Sequence, residues 1–319
     1  MMNRLVIGTR ASKLALAQTQ TVIARLQQLH RELEILVEPI HTHGDRVTEV
    51  PLARIGGDGV FVTEIERALR AGAVDLAVHS LKDLPTAPPE GLLILVPGPR
   101  EDVRDVLVRR RDFLGSPAEP GVRIGTCSLR RAAQLRALYP EAEILPLRGN
   151  VDTRLRKLEA GDYDLIVLAA AGLRRLGLSE GLADRLELLP VERLLPAPGQ
   201  GALALELRAD SELVPLLAPL NDVEVQAATS AERAFMRHLG AGCYLPVAAY
   251  AQRLDQRLFL RALVISLDGR RAVRVQGSIA WREEQASRLA VQLGVMLAEQ
   301  ALAQGAEEII AEIRAAGKV

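Results

Sequence analysis

The feature that most constrains this chain is a local pattern that recurs along it. A short apolar run is followed by a turn of small or polar residues, and then by arginine where a helix begins. It occurs at residues 7–12, at 124–131 and at 147–154. Short apolar runs alternating with helical periods predict βαβ units on largely parallel sheets. The turns of such sheets gather at the C-terminal strand ends, where ligands bind. In the first unit Arg4–Ile7 reads as strand and Ser12 as a helix N-cap. Leu14, Gln18, Val22, Leu26 and Leu29 then recur at helical spacing, with Ala15, Ile23 and Ala24 widening the stripe. Glu34–Val37 is the next strand, reached by a right-handed crossover. Arg10 stands where a helix N-terminus offers free N–H groups to an anion, and it equally suits a plain surface position.

A second informative stretch is His79-Ser80-Leu81-Lys82-Asp83-Leu84-Pro85. The run Asp75–Val78 before it reads as a buried parallel strand, so the cluster falls at that strand's C-terminal end. Taken alone, Lys82-Asp83 also fits a solvated ion pair on a turn. Upstream, Gly44 to Gly59 lacks periodicity and carries several glycines, which suits a mobile loop over a site. The helix after it turns Phe61, Ile65, Ala68 and Leu69 inward and closes at Gly72. His41 and His43 are expected to be solvated, since a metal needs three or four ligands and no further donors share their spacing.

Leu92–Val96 is a strand, and Pro97-Gly98-Pro99 breaks the pattern as a hinge would. Strands at 106–108, 122–124, 143–147 and 164–168 follow. The helix after Gly125 should bury Leu129, Ala132, Leu135 and Leu138, and the one after Asn150 should bury Val151, Leu155 and Leu158. Leu195 to Gly201 is a second Pro/Gly break, and Ala202–Leu205 a further strand. Two breaks around one α/β unit describe a chain that leaves a first domain, builds a second and returns. The expected division is residues 1–97 with 198–217, then 103–193, then 220–319. Two lobes of this kind enclose a cleft, the usual place for a ligand. The last third changes character: a helix from Asn221 to Leu239, three strands with a hairpin at Leu267-Asp268-Gly269, and one long closing helix. That closing helix is read from Ala286, Leu289, Leu293, Met296, Leu297 and Ala301, and the whole makes a small α+β domain.

Lysine plus arginine and aspartate plus glutamate both number 40, so the formal charge is zero. That argues against a nucleic-acid protein held by bulk charge, while leaving room for a local basic cleft. The sequence has no apolar run long enough to span a bilayer, and its start lacks a signal-peptide pattern. Two cysteines, Cys127 and Cys243, suggest reduced thiols, and a cytoplasmic protein is expected. Cys243 lies between glycines and a proline-stopped turn, which favours an exposed functional thiol; Cys127 could be a buried one.

A cleft supplied by Arg10, Arg130, Arg131, Arg148, Arg154 and Arg175 calls for a ligand bearing several carboxylates or phosphates. Asp83 in that positive field would be ionised, able to stabilise a cation on the substrate or to move protons. Two other classes remain open at this stage. A non-enzymatic anion receptor on a two-lobed fold would need neither Cys243 nor a third domain. A thiol-dependent acyltransferase would want a histidine beside Cys243, and only His79 and His238 are near in sequence.

Residues 78–85 (Val-His-Ser-Leu-Lys-Asp-Leu-Pro), 125–131 (Gly-Thr-Cys-Ser-Leu-Arg-Arg) and 147–151 (Leu-Arg-Gly-Asn-Val) resemble the porphobilinogen deaminase family, also called hydroxymethylbilane synthase. So do 170–177 (Ala-Ala-Gly-Leu-Arg-Arg-Leu-Gly), 198–202 (Pro-Gly-Gln-Gly-Ala) and 240–247 (Gly-Ala-Gly-Cys-Tyr-Leu-Pro-Val), in the family's order and over nearly the whole chain. The resemblance implies two periplasmic-binding-protein-like (type II) α/β domains with an interdomain cleft, plus a small C-terminal α+β domain. It implies a dipyrromethane cofactor held by a thioether to Cys243, and stepwise head-to-tail joining of porphobilinogen units into hydroxymethylbilane. Asp83 would be the catalytic carboxylate. Arg10, Ser12, Ser80, Lys82, Thr126, Ser128, Arg130, Arg131, Arg148, Gly149, Arg154 and Arg175 would hold cofactor and substrate, with Gln18 and Phe61 near the incoming unit. A cytoplasmic monomer acting on a small molecule, without metal, nucleic acid or membrane, completes what the family implies. The chain departs from the family pattern at Arg54 and Asp58, where lysine is common, at Cys127, and at Gly240-Ala241 before the attachment cysteine.

Overall fold

The structure, a computed structural model, describes residues 4–42, 62–87, 89–240, 242 and 245–316. Phe61, Cys243, His43 and the glycine-bearing stretch 44–59, with Arg54 and Asp58, lie outside the described residues. Among the described residues the strands form three sheets.

The first sheet has the order β2-β1-β3-β10-β4. Its strands are β1 (Arg4–Arg10), β2 (Glu34–Ile40), β3 (Leu76–Ser80), β4 (Leu92–Leu95) and β10 (Leu203–Arg208). β1 pairs parallel with β2 and with β3, whereas β10 runs antiparallel between β3 and β4. The expected return of the chain is thus a strand inserted into the middle of the first sheet. Helix α1 (Lys13–Leu29) starts at Ser12, whose Oγ accepts from Ala15 N at 3.3 Å. It buries Ala15, Gln18, Val22, Ile23 and Leu26. Leu29 and Ala24, expected inward, are exposed. Helix α2 (Thr63–Arg70) covers the opposite face with Ile65 and Leu69.

The second sheet has the order β7-β6-β8-β5-β9, the same pattern as the first. It contains β5 (Asp105–Arg109), β6 (Arg123–Gly125), β7 (Glu143–Leu145), β8 (Leu165–Ala169) and β9 (Leu186–Leu189). β9 is an antiparallel partner of β5 that the sequence reading missed, since Leu-Glu-Leu-Leu lacks a clean alternation. Helices α3 (Leu129–Leu138), α4 (Val151–Glu159) and α5 (Ala170–Arg175) follow β6, β7 and β8. Ser128 and Asn150 cap α3 and α4 by accepting from Arg131 N and Thr153 N. Both lobes are α/β units built on five-stranded mixed sheets of the same strand pattern. Lys13 on α1 reaches Asp152 on α4 at 3.2 Å from one lobe to the other.

The third unit is a meander of β11 (Val247–Leu254), β12 (Arg257–Ile265) and β13 (Ala272–Ala280) under α6 (Val223–His238) and α7 (Ala286–Ala301). The single closing helix expected from periodicity ends early. Gly305, at φ +97°, breaks it, and α8 (Glu307–Ala315) continues after a wide turn. Met296 is exposed, while Leu293 and Leu297 pack on α6 and the meander.

A buried carboxylate joins the three units. Glu232 on α6 is 0% exposed and accepts from both terminal nitrogens of Arg100, at 2.7 and 3.0 Å. It also accepts from Gly199 N at 2.7 Å and Ala251 N at 2.8 Å. Removing one member of such a pair strands the other's charge. Glu232→Gln should therefore lower the unfolding free energy by about 3–5 kcal/mol in urea titrations. Glu312→Gln, which breaks an exposed pair with Arg271, should change it by under about 1 kcal/mol.

Candidate active site

β3 delivers the polar cluster to the cleft. Val78 packs into the α1 side of the sheet, and alternation along the strand places Ser80 on that same side. Ser80 Oγ accepts from Gln18 Nε2 on α1 at 2.9 Å. After Ser80 the chain makes a 3₁₀ turn over Leu81–Asp83. Leu81 and Leu84 are buried at its two ends, so Lys82 and Asp83 are held between apolar anchors. Leu81 N donates to Ala202 O at 3.0 Å. Arg233 on α6 donates to the carbonyls of Leu81, Leu84 and Pro85, at 3.4, 3.2 and 2.5 Å. The turn is thereby tied to the helix that leads to Gly240 and the Cys243 loop.

The Pro-Gly-Gln-Gly stretch explains itself here. Gly199 sits at φ +74°, and a Cβ on it would lie 3.1 Å from Leu81 Cγ and 3.2 Å from Lys82 N. Only glycine lets the return crossover press this closely on the turn.

Arg10, Ser12, Gln18, Ser80 and Asp83 line one cavity together with Val62, at the C-terminal ends of β1 and β3. The structure thus brings five of the expected site residues of the first lobe into one wall. Burial is the main influence on Lys82 and lowers its pKa to about 8, against the pull of neighbouring Asp83.

The second lobe supplies the opposing wall. Thr126 is buried after β6, and its hydroxyl accepts from Ser128 N at 3.2 Å. Arg154 on α4 donates through Nε to Gly149 O at 2.8 Å. Burial lowers its pKa to about 10, and Arg131 pushes in the same direction. Gly149 has φ +114°, and a Cβ there would collide with Thr153 at 2.7 Å. Arg148 Nη1 is buried without a hydrogen-bond partner among the described residues. Arg175 donates to Gly201 O at 2.6 Å, and burial lowers its pKa too. Cys127 is half-buried; burial raises its thiol pKa, and Arg154, Arg148 and Lys157 pull the other way.

Arg130 and Arg131 carry a contact that the sequence does not announce. Both are buried, 5% exposed, and both bind a carboxylate that the sequence reading did not single out. Asp105 accepts from Arg130 Nη1 at 2.7 Å and from Arg131 Nη2 at 2.6 Å. No spacing signal points to Asp105, which precedes an apolar strand; only the fold brings residues 105, 130, 131 and 200 together. Glu206 was missed for the same reason. It is fully buried on β10, with His79 Nε2 3.1 Å from one carboxylate oxygen but off the line a hydrogen bond requires. His79 is therefore occupied inside the sheet, and His238 is exposed at the end of α6.

No group of three or more His, Cys, Asp or Glu among the described residues is arranged to hold a metal ion. No helix among them is long and apolar enough to cross a membrane. What the wall can do is bind several carboxylates in a confined space and present one carboxylate, Asp83, to whatever they hold.

Residues 5–215 match a family model described as porphobilinogen deaminase, dipyromethane cofactor binding domain. Residues 227–303 match the porphobilinogen deaminase C-terminal domain. A protein named porphobilinogen deaminase from Roseiflexus castenholzii is 50% identical over 312 residues, covering 98% of this chain and 100% of that one. Its namesake from Syntrophotalea carbinolica is 48% identical over 310 residues, covering 96% and 95%. That from Syntrophus aciditrophicus is 50% identical over 304 residues, covering 94% and 95%. With family models across both parts of the chain and relatives matched nearly end to end, this chain belongs to the porphobilinogen deaminase family.

Proposed function

We infer that this chain is a hydroxymethylbilane synthase, a transferase of tetrapyrrole biosynthesis. It deaminates four porphobilinogen molecules in turn, joins them head to tail on a dipyrromethane cofactor, and releases the linear tetrapyrrole with ammonia. The observation that carries this reading is a set of cations perturbed by burial: Lys82, beside Asp83 on the first lobe, and Arg130, Arg154 and Arg175 on the second. Cations kept in so dry a place are stabilised by anions, and every pyrrole unit carries two carboxylates. Arg130 Nε and Arg148 Nη1, buried donors with no hydrogen-bond partner among the described residues, fit the cofactor's acidic side chains for the same reason.

When bound, dipyrromethane supplies the terminal pyrrole to which the first substrate unit is joined. The chain's own residues do the rest. Arg10, Lys82, Arg130, Arg131, Arg148, Arg154 and Arg175 hold acetate and propionate groups, with hydroxyls from Ser12, Thr126 and Ser128 beside them. Gln18 and Ser80, already bonded to each other, and Phe61 orient the incoming unit. Loss of ammonia leaves the substrate's pyrrole electron-poor, and attack by the next pyrrole passes through a cation. Asp83, fixed on its turn, supplies the negative charge that stabilises it, and fixed charge in a water-poor site is the most effective kind. Cys243 carries the cofactor through a thioether, which needs no base for turnover. The domains run 1–97 with 198–217, 103–193 and 220–319, and the protein works as a cytoplasmic monomer.

The purified protein should consume porphobilinogen, release ammonia and form the linear tetrapyrrole. Its intact mass should exceed that of the sequence by one dipyrromethane. An unmodified mass in fully active protein would overturn the cofactor assignment. Absence of tetrapyrrole from cofactor-loaded protein would overturn the activity.

A further inference from the structure

Two consecutive residues of α6 hold two different segments of the chain. Glu232 accepts from Arg100, on the outgoing crossover, and from Gly199 N, on the return. Arg233 serves the backbone around Lys82 and Asp83 instead. Its Nη1 donates to Leu81 O at 3.4 Å and to Leu84 O at 3.2 Å, and its Nη2 to Pro85 O at 2.5 Å. Two turns earlier on the helix, Val225 packs against the apolar cluster that contains Leu81 and Leu84. Positions 225 and 233 are eight apart and fall on one stripe of the helix, so α6 meets the turn with an apolar contact and a guanidinium together.

The carbonyls that Arg233 takes bracket Asp83. Leu81 O closes the 3₁₀ turn by accepting from Leu84 N at 3.2 Å, and Leu84 and Pro85 carry the chain out of it. The amide side of the turn is held by the return crossover, where Leu81 N donates to Ala202 O at 3.0 Å. A guanidinium suits the carbonyl side, because its planar fork holds several acceptors at fixed angles where an ammonium is a point charge. The Asp83 carboxylate takes part in none of these bonds, so its direction is inherited from the backbone they fix.

We propose that Arg233 is a positioning residue for the reaction: from the third unit, it fixes the backbone that aims the Asp83 carboxylate. Residue 233 falls in the stretch matched by the C-terminal-domain model and outside the one matched by the cofactor-binding-domain model. The third unit thus sets catalytic geometry as well as bearing Cys243. The inference rests on the reading of Asp83 as the carboxylate that stabilises the cationic intermediate.

Rates on cofactor-loaded protein, with loading checked by intact mass, provide the test. Arg233→Met keeps much of the side chain's bulk and removes the fork. Its kcat should fall by about 10–10²-fold, the cost of a catalytic group displaced by up to about 1 Å, while KM stays within about threefold. Arg233→Lys keeps the charge but reaches fewer carbonyls, so its kcat should lie between those of Arg233→Met and wild type. It carries the test alone should Arg233→Met not fold. Because Arg233 acts through Asp83, adding either change to Asp83→Asn should slow single turnover by less than about threefold further, and the two losses should not multiply. A merely structural Arg233 would lower the melting temperature and leave the kcat of folded, loaded protein unchanged. That result, a loss confined to KM, or a loss that multiplies with that of Asp83→Asn overturns the proposal. Asp83→Asn as fast as wild type would overturn the reading of Asp83 itself, and the proposal with it.

Discussion

Asp83→Asn should abolish turnover almost completely, with a loss of about 10²–10³-fold or more in single-turnover rate. Asparagine keeps the shape of the side chain and removes its charge, so the change isolates the electrostatic role. Asp83→Glu keeps the charge and displaces it by one methylene, which costs about 10²-fold where geometry matters. The order wild type, then Glu, then Asn is therefore expected. Folding should survive both changes. The 3₁₀ turn is held by buried Leu81 and Leu84 and by Arg233 at the backbone carbonyls, and none of these contacts uses the carboxylate. Circular dichroism and urea midpoints should match wild type. The assay should use cofactor-loaded protein, because slow loading would imitate slow chemistry. An asparagine variant as fast as wild type would remove Asp83 from the reaction.

The second large effect concerns Cys243, whose change to serine should leave the protein at its bare sequence mass and without tetrapyrrole synthesis. A serine hydroxyl is a far weaker nucleophile than a thiol at neutral pH, so the thioether has no substitute. Cys127→Ser is the matched control and should keep both the mass increment and the activity. Cys127 is half-buried with a thiol pKa raised by burial, which makes it a poor competitor for attachment. The described residues that flank Cys243 are held by contacts that neither substitution touches. Gly240 O accepts from Arg314 Nη2 at 2.8 Å on one side, and Leu245 is buried in the core of the third unit on the other. Retention of the increment in Cys243→Ser would place the cofactor elsewhere.

The architecture was legible because it rests on period and punctuation. The run before His79, the caps Ser12 and Ser128, and the Pro/Gly breaks near 98 and 198 report on local backbone, and local sequence determines local backbone. The first-lobe wall was legible for the same reason: Arg10, Ser12, Ser80 and Asp83 all sit at or just after the ends of parallel strands, which the sheet brings to one edge. What was not legible is pairing across long separations. Arg130 and Arg131 look alike at a helix start whether they face a ligand or a buried carboxylate. The partner that decides it, Asp105, is 25 residues from one and 26 from the other. The break at Gly305 was missed because its flanks keep helical apolar spacing, and a single positive φ leaves the pattern on either side intact. Leu29 and Met296 show the same limit, since periodicity names a face but not how far the neighbouring layer extends.

The insertion of β10 between β3 and β4 also bears on synthesis at the ribosome, where the chain emerges from its N-terminus. Residues 4–95 include four of the five strands of the first sheet, but β3 and β4 lack the strand that bridges them until Leu203–Arg208 has been made. The strand that leads into the Asp83 turn is thus left with an open edge while the entire second lobe is translated. Ala202, which holds Leu81 N, and Gly199, which packs on Lys82, arrive in that same late segment. A nascent chain truncated before residue 199 therefore carries Asp83 but cannot shape the turn around it. Asp83 is encoded in the first third, but the segment that packs on its turn exists only after about two-thirds of the polypeptide has been made.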